Sequence, residues 1–184
     1  MKLVLLGDGE SPHLLKWARA LAPQVELWAA SSRGFAPGFD TLVPTARRLA
    51  LDTRPDFEGG NAGLLRQLPR LAAWLKAARP DWIHAHYLTS HGTLAWLATR
   101  WLGAPGRLVG SAWGSDILVT PARSPLLRWL TTRVLRACVL MAGESIQGNI
   151  GIYQLSGEKE KAPPPRQTAD TRTGDFAVVF PTND

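Results

Sequence analysis

The chain has 184 residues, 45% of them hydrophobic and 20% charged. That is enough for one domain with its own core, and it lies outside the compositions of disordered and collagen-like chains. The formal net charge of +6 is uneven, because residues 1–143 carry 17 Lys and Arg against 9 Asp and Glu, and the remainder 4 against 6. A basic body of this kind suits nucleic acid, an anionic bilayer or a phosphorylated substrate, and charge alone does not choose among them.

The elements follow in chain order. Residues 2–6 form a short apolar run ended by Gly7-Asp8-Gly9, the pattern of a strand buried on both faces of a parallel sheet. Ser11 and Pro12 then offer an N-cap and a first-turn proline to a helix whose Leu14, Leu15, Ala18 and Leu21 recur with helical spacing. Residues 24–30 read as a second strand, residues 31–44 as a looser stretch rich in Gly and Pro, and residues 47–51 as a third strand. A helical stripe over residues 62–79 contains Pro69, which should kink it or split it in two.

A fourth strand starts at Asp81-Trp82-Ile83-His84-Ala85-His86, and a helix spans residues 90–102. Residues 107–112 form a fifth strand, Ser124-Pro125 caps a further helix, and residues 138–142 form a sixth strand. Strands alternating with helices of these lengths predict a Rossmann-like, doubly wound α/β domain with a parallel sheet. Ligands of such sheets bind beyond the carboxyl ends of the strands.

Several classes are set aside by the residues themselves. Cys138 stands alone among Leu135, Val139, Leu140 and Met141, so it reads as a small buried hydrophobe in a reducing, cytoplasmic setting. The apolar run at the amino terminus is shorter than a signal peptide needs, and no stretch approaches the roughly 18 apolar residues of a spanning helix. No nucleophile elbow, P-loop, helix-turn-helix, RNA-recognition or zinc-finger pattern occurs, so no nucleic-acid partner is expected.

The residues able to carry chemistry gather at strand ends. The turn Gly7-Asp8-Gly9-Glu10-Ser11-Pro12 brings backbone N–H groups to a helix start, where an anion could be held, but Pro12 stands where a dinucleotide fingerprint has its third glycine. A plain strand-to-helix turn is the other reading of the same residues. His84, His86 and His91 invite a metal, yet Leu88 and Thr89 occupy the positions where carboxylate and imidazole would complete a set, so no metal is expected. His84 reads as a satisfied core histidine. His86, at the strand end beside Tyr87 and Thr89, is placed to recognise a hydroxyl-rich ligand. Asp116 either caps its own loop or joins that site, and Trp113 reads as packing.

Taken together, Gly7 to His13 with the following Trp-containing helix, Pro80-Asp81-Trp82-Ile83-His84-Ala85-His86-Tyr87, Ser111-Ala112-Trp113-Gly114-Ser115-Asp116 and the helix and strand of residues 133–145 resemble a known pattern. It is that of the amino-terminal domain of GT-B glycosyltransferases of family four, and the resemblance covers about residues 1–145. It implies a domain that faces a glycan or lipid-linked sugar acceptor, in an enzyme of the retaining hexosyltransferase type. A second domain would bind the nucleotide sugar, and no metal or other cofactor would be needed.

By that resemblance His86 and Asp116 are the catalytic positions. Gly7, Asp8, Gly9, Ser11, His13, Tyr87 and Ser115 are then the acceptor-binding ones. The family's donor half carries two glutamates eight positions apart, and the six glutamates here contain no such pair. Residues 146–184 turn polar and Pro-rich and are expected to be an irregular tail in place of a donor domain, through truncation, a frameshift or a split gene. The domain is then inactive alone or dependent on a separate donor subunit. Two alternatives remain open. One is a peripheral module that holds the anionic inner face of a membrane through Arg128, Arg133 and Arg136, with Arg66 and Arg70. The other is a nucleotide binder of the same fold without catalysis.

Overall fold

The apolar run that starts at Lys2 becomes the central strand of the sheet. The computed structural model describes residues 1–53, 62–113, 119–144 and 150–154. Strand β1 (Lys2–Gly9) alternates its side chains between two cores. Leu3 and Leu5 meet Leu14, Trp17 and Leu21 of α1 (Pro12–Leu21), while Val4 and Leu6 belong to the core on the opposite face. A strand buried on both sides has no polar face, which is why its sequence shows no alternation.

Parallel to β1 run β2 (Glu26–Phe35), β3 (Arg48–Ala50), β4 (Trp82–His86), β5 (Arg107–Ser111) and β6 (Cys138–Glu144). The order β3-β2-β1-β4-β5-β6 is that of a Rossmann fold, with its topological switch between β1 and β4. A seventh strand, β7 (Ile150–Gln154), pairs antiparallel with β6 inside the stretch that sequence reading left irregular. Its Ile-Gly-Ile-Tyr sequence has strand-forming residue types, and it extends the sheet beyond β6.

The predicted split at Pro69 is found as α2 (Ala62–Arg66) and α3 (Leu68–Ala78). With α4 (Thr93–Arg100) and α5 (Pro125–Ala137), α3 covers the face opposite α1, through Leu71, Leu75, Leu94, Ala98 and Val134. The Ser11 and Ser124 side chains cap α1 and α5, accepting from the backbone N–H of His13 and Leu126. Cys138 is buried and its thiol is pushed up to about 12 by burial, so it behaves as a core side chain.

Three boundaries differ from the sequence reading. The first strand continues through Gly7 and Asp8 to Gly9, and the second runs on to Phe35, because the two pair with each other past the expected turn. The fourth helix is preceded by a π-helical turn, Tyr87–Gly92, for which residue type gives no signal. Among the described residues no helix is long and apolar enough to cross a membrane.

Candidate functional site

Gly9 pairs with Phe35 at the end of β1, where β2 comes close to its Cα. A Cβ there would sit 2.5 Å from the Gly34 carbonyl oxygen and 2.9 Å from Ser31 Oγ, so the position needs glycine for space. At Gly7 a Cβ would meet Leu14 at 2.6 Å and His86 Cβ at 3.3 Å. The backbone donors of the turn are used within it. The Gly9 N–H donates to Ser31 Oγ at 2.8 Å, the Glu10 N–H to Asp8 Oδ1 at 3.0 Å, the Ser11 N–H to the Asp8 carbonyl at 3.0 Å and the His13 N–H to Ser11 Oγ at 3.3 Å. The two glycines thus serve close packing, and what the turn presents to a ligand is its side chains.

Asp8 Oδ2 lies 3.5 Å from Arg33 Nε, and Glu10 Oε2 lies 3.9 Å from Arg33 Nη1. Beside them, at the ends of β1, β2 and β3, Glu10, Arg33, Gly34, Asp52 and Thr53 line a cleft of about 590 Å³, a ligand-sized volume.

Parity decides the arrangement on β4. Ile83 and Ala85 enter one core, so His84 and His86 both turn to the α1 face, where Trp17 meets their rings edge-on at 4.6 and 5.7 Å. His84 Nε2 and Ser111 Oγ are 2.7 Å apart, which satisfies the ring as expected, and burial pushes its pKa down to about 3. His86 is 2% exposed, and its Nε2 has no hydrogen-bond partner among the described residues. Burial, together with the neighbouring His84, His91 and His13, holds its pKa well below the usual histidine value. It is a neutral imidazole at pH 7, with one ring nitrogen donating and the other accepting.

Tyr87 follows directly at φ 64°, a left-handed conformation that costs about 1–3 kcal/mol for such a residue and clusters at ligand sites. This twist starts the π-helical turn and brings His91 to the same place. His91 Nδ1 lies 3.2 Å from Ser90 Oγ, while its Nε2 is buried with no partner among the described residues. Burial lowers its pKa to about 4, opposed by the His86 backbone and the Asp8 carboxylate. Asp8 thus joins this cluster electrostatically.

Trp113 stacks on Tyr87 with ring centroids 5.8 Å apart and an interplanar angle of 25°, and lies 4.5 Å from the exposed ring of His13 and 6.1 Å from His86. Sequence reading assigned Trp113 to packing and left His91 out of the site. Both rings lie against Tyr87, His91 buried at 6.5 Å and Trp113 stacked at 5.8 Å, and the π-helical turn and the end of β5 bring them there.

Of the expected site residues, Gly7, Asp8, Gly9, Ser11, His13, His86 and Tyr87 collect at the carboxyl ends of β1 and β4, and Ser115 and Asp116 lie outside the described residues. Among the described residues no group of three His, Cys, Asp or Glu side chains has the arrangement to hold a metal ion. The site as described offers neutral imidazoles, one carboxylate held against Arg33 and an aromatic platform. Such a set can exchange hydrogen bonds with hydroxyl groups and offers an apolar ring face for packing.

Comparison with known proteins agrees with the fold. The chain is similar to UDP-N-acetylglucosamine 2-epimerase from Rickettsia bellii at 9% identity and a TM-score of 0.52, over 80% of this chain and 40% of that one. It also matches S. aureus MnaA in a co-structure with UDP, at 12% identity and a TM-score of 0.47, over 78% of this chain and 39% of that one. The chain therefore spans about two fifths of the length of these structures, and at 9% identity the likeness to the epimerase shows the fold alone. No curated protein sequence matches the chain. The family described as glycosyl transferase 4-like matches residues 2–142, and the chain belongs to that family.

Proposed function

We propose that this glycosyltransferase-type domain is the acceptor-side half of a retaining enzyme that moves a sugar from a nucleotide sugar to a glycan or lipid-linked acceptor. The observation that carries the reading is His86 Nε2, a buried polar atom with no partner among the described residues, at the carboxyl end of a central strand. An unsatisfied buried polar group costs about 1–3 kcal/mol, and a ligand hydroxyl entering beside it would relieve that cost. The stacked Trp113 and Tyr87 rings, with His13 at their edge, supply an apolar surface against which a sugar ring can lie.

In this reading His86 positions the acceptor hydroxyl, while Asp8 and His91 hold its neighbours. Ser115 and Asp116, two and three residues beyond Trp113 in the sequence, are assigned to acceptor recognition by the resemblance, with Asp116 as the polar partner of the reacting hydroxyl. The nucleotide sugar is bound by a separate domain, which provides the donors that meet charge developing on the departing diphosphate. This chain is inactive without it.

The test is to assay the purified chain with UDP- and GDP-sugars and a detergent-solubilised extract of lipid and glycan acceptors, with and without a separately expressed donor domain. Transfer is expected only with the donor domain present, and His86→Ala should lower kcat/KM by about 100-fold. Turnover by the chain alone, or an unaffected His86→Ala variant, would overturn the reading.

A further inference from the structure

Helix α5 turns Thr131 and Val134 into the core and leaves Leu126, Trp129, Arg133 and Arg136 exposed, at spacings that place them on one side of the helix. Leu126 is 62% and Trp129 46% exposed, large apolar side chains left in water on a folded domain. The Trp129 ring is held in place, edge-on to Trp96 of α4 at 6.1 Å and with the Arg133 guanidinium 5.4 Å from its centroid. Helix α4, packed beside α5, leads directly into Trp101, 70% exposed, and Leu102.

The charge around this face has one sign. Residues 82–143 contain six arginines and a single acidic residue, Asp116. On α5 itself Arg128, Arg133 and Arg136 are exposed and form no ion pair among the described residues, whereas Arg70, on α3, lies 3.5 Å from Asp52. Arginines without counter-charges, interleaved with exposed Trp and Leu on one helix, match an anionic lipid surface. The apolar groups enter the boundary between headgroups and acyl chains, and the guanidiniums meet lipid phosphates in the plane above. A nucleic acid would use the arginines and leave Leu126 and Trp129 in water.

We propose that the exposed face of α5, with the end of α4 beside it, is a docking surface for an anionic bilayer. Leu126 and Trp129 insert at the interface, and Arg128, Arg133 and Arg136 bind lipid phosphates. The surface is independent of the sugar chemistry assigned to the strand ends. Because α5 starts on the side where β5 ends, docking along its exposed face would hold the rim of that site near the membrane.

Flotation of the full chain with vesicles of phosphatidylcholine alone, and of equal parts phosphatidylcholine and phosphatidylglycerol, tests the surface. The chain should float only with the anionic vesicles, with a blue shift of its tryptophan fluorescence. Replacing both Arg133→Gln and Arg136→Gln should lower the partition coefficient about 25-fold, about fivefold per arginine. The paired change Leu126→Ser and Trp129→Ser should lower it by about tenfold or more. All four positions are exposed, and circular dichroism of each variant checks that the fold is retained. Flotation with neither vesicle, equal flotation with both, or unchanged binding by the Leu126→Ser/Trp129→Ser variant would overturn the proposal. The last result, with release by double-stranded DNA, would mark a purely electrostatic surface.

Discussion

On the β1–β2 side of the sheet's carboxyl rim, Asp8 and Glu10 close on Arg33, and the backbone donors of the turn are taken up by Ser31, Asp8 and Ser11. On the β4–β5 side, His86 and His91 each keep a buried Nε2 without a hydrogen-bond partner among the described residues, next to a strained Tyr87 and a stacked Trp113. Both rims are polar and both belong to strand ends. They differ in how their polar groups are held: Arg33 is ion-paired with Asp8 and Glu10 although its Nε makes no hydrogen bond, whereas the buried imidazoles of His86 and His91 are neutral and form no ion pair among the described residues.

The largest expected break comes from acid. His84, His86 and His91 are neutral in the fold with pKa values held below 6.5, while the unfolded chain takes up protons near 6.5. Their contribution is therefore fully present above pH 6.5 and is lost as pH falls from 6.5 towards about 4, where His91 protonates, and about 3 for His84. At pH 5 the loss is about 2 kcal/mol each for His84 and His91, and His86 adds to it in the same direction. Urea unfolding at pH 7 and pH 5 measures it, and a flat profile would remove the claim that these rings are buried and neutral.

Next in size is Ser111→Ala, which strands His84 Nε2 in the core and should cost about 1–3 kcal/mol of unfolding free energy. The contrast lies in His86→Leu, two residues from His84 on the same face. It removes an atom with no partner, so it should leave stability unchanged or raise it by up to about 1–3 kcal/mol, while impairing the sugar transfer proposed for the site. If the two substitutions destabilise equally in urea, the satisfied and unsatisfied histidines are not different in kind.

Gly9→Ala forces a methyl group against the Gly34 carbonyl and should cost about 1–3 kcal/mol, read as a lower melting temperature. The smallest effect belongs to the β1–β2 rim, where Glu10→Gln loosens a 3.9 Å surface ion pair and should alter stability by about 0.5 kcal/mol or less. A larger loss on urea unfolding would show that this rim is more than a solvated pairing.

Much of the fold was legible. The apolar stretches within residues 2–6 and 107–112 announce strands covered on both faces, Ser11-Pro12 and Ser124-Pro125 announce helix starts, and Pro69 announces the break between α2 and α3. His84 and His86 sharing a face followed from the two-residue period of a strand. The extension of β1 to Gly9 was not legible, because glycines that mark a turn in most contexts here permit two backbones to approach. Strand β7 was hidden for a related reason, since its partner β6 is supplied by the fold.

The sequence by itself determined the order of strands and helices, the caps, the buried character of the central strands and the family, since these depend on local spacing and residue type. Only the tertiary structure decided which polar groups are satisfied. Ser111 finds His84 because β5 lies in register beside β4, while His91 and Trp113 reach the site because a left-handed Tyr87 opens a π-helical turn and β5 ends beside it. Hydrogen-bond satisfaction depends on neighbours distant in the chain, and spacing along one strand does not record them.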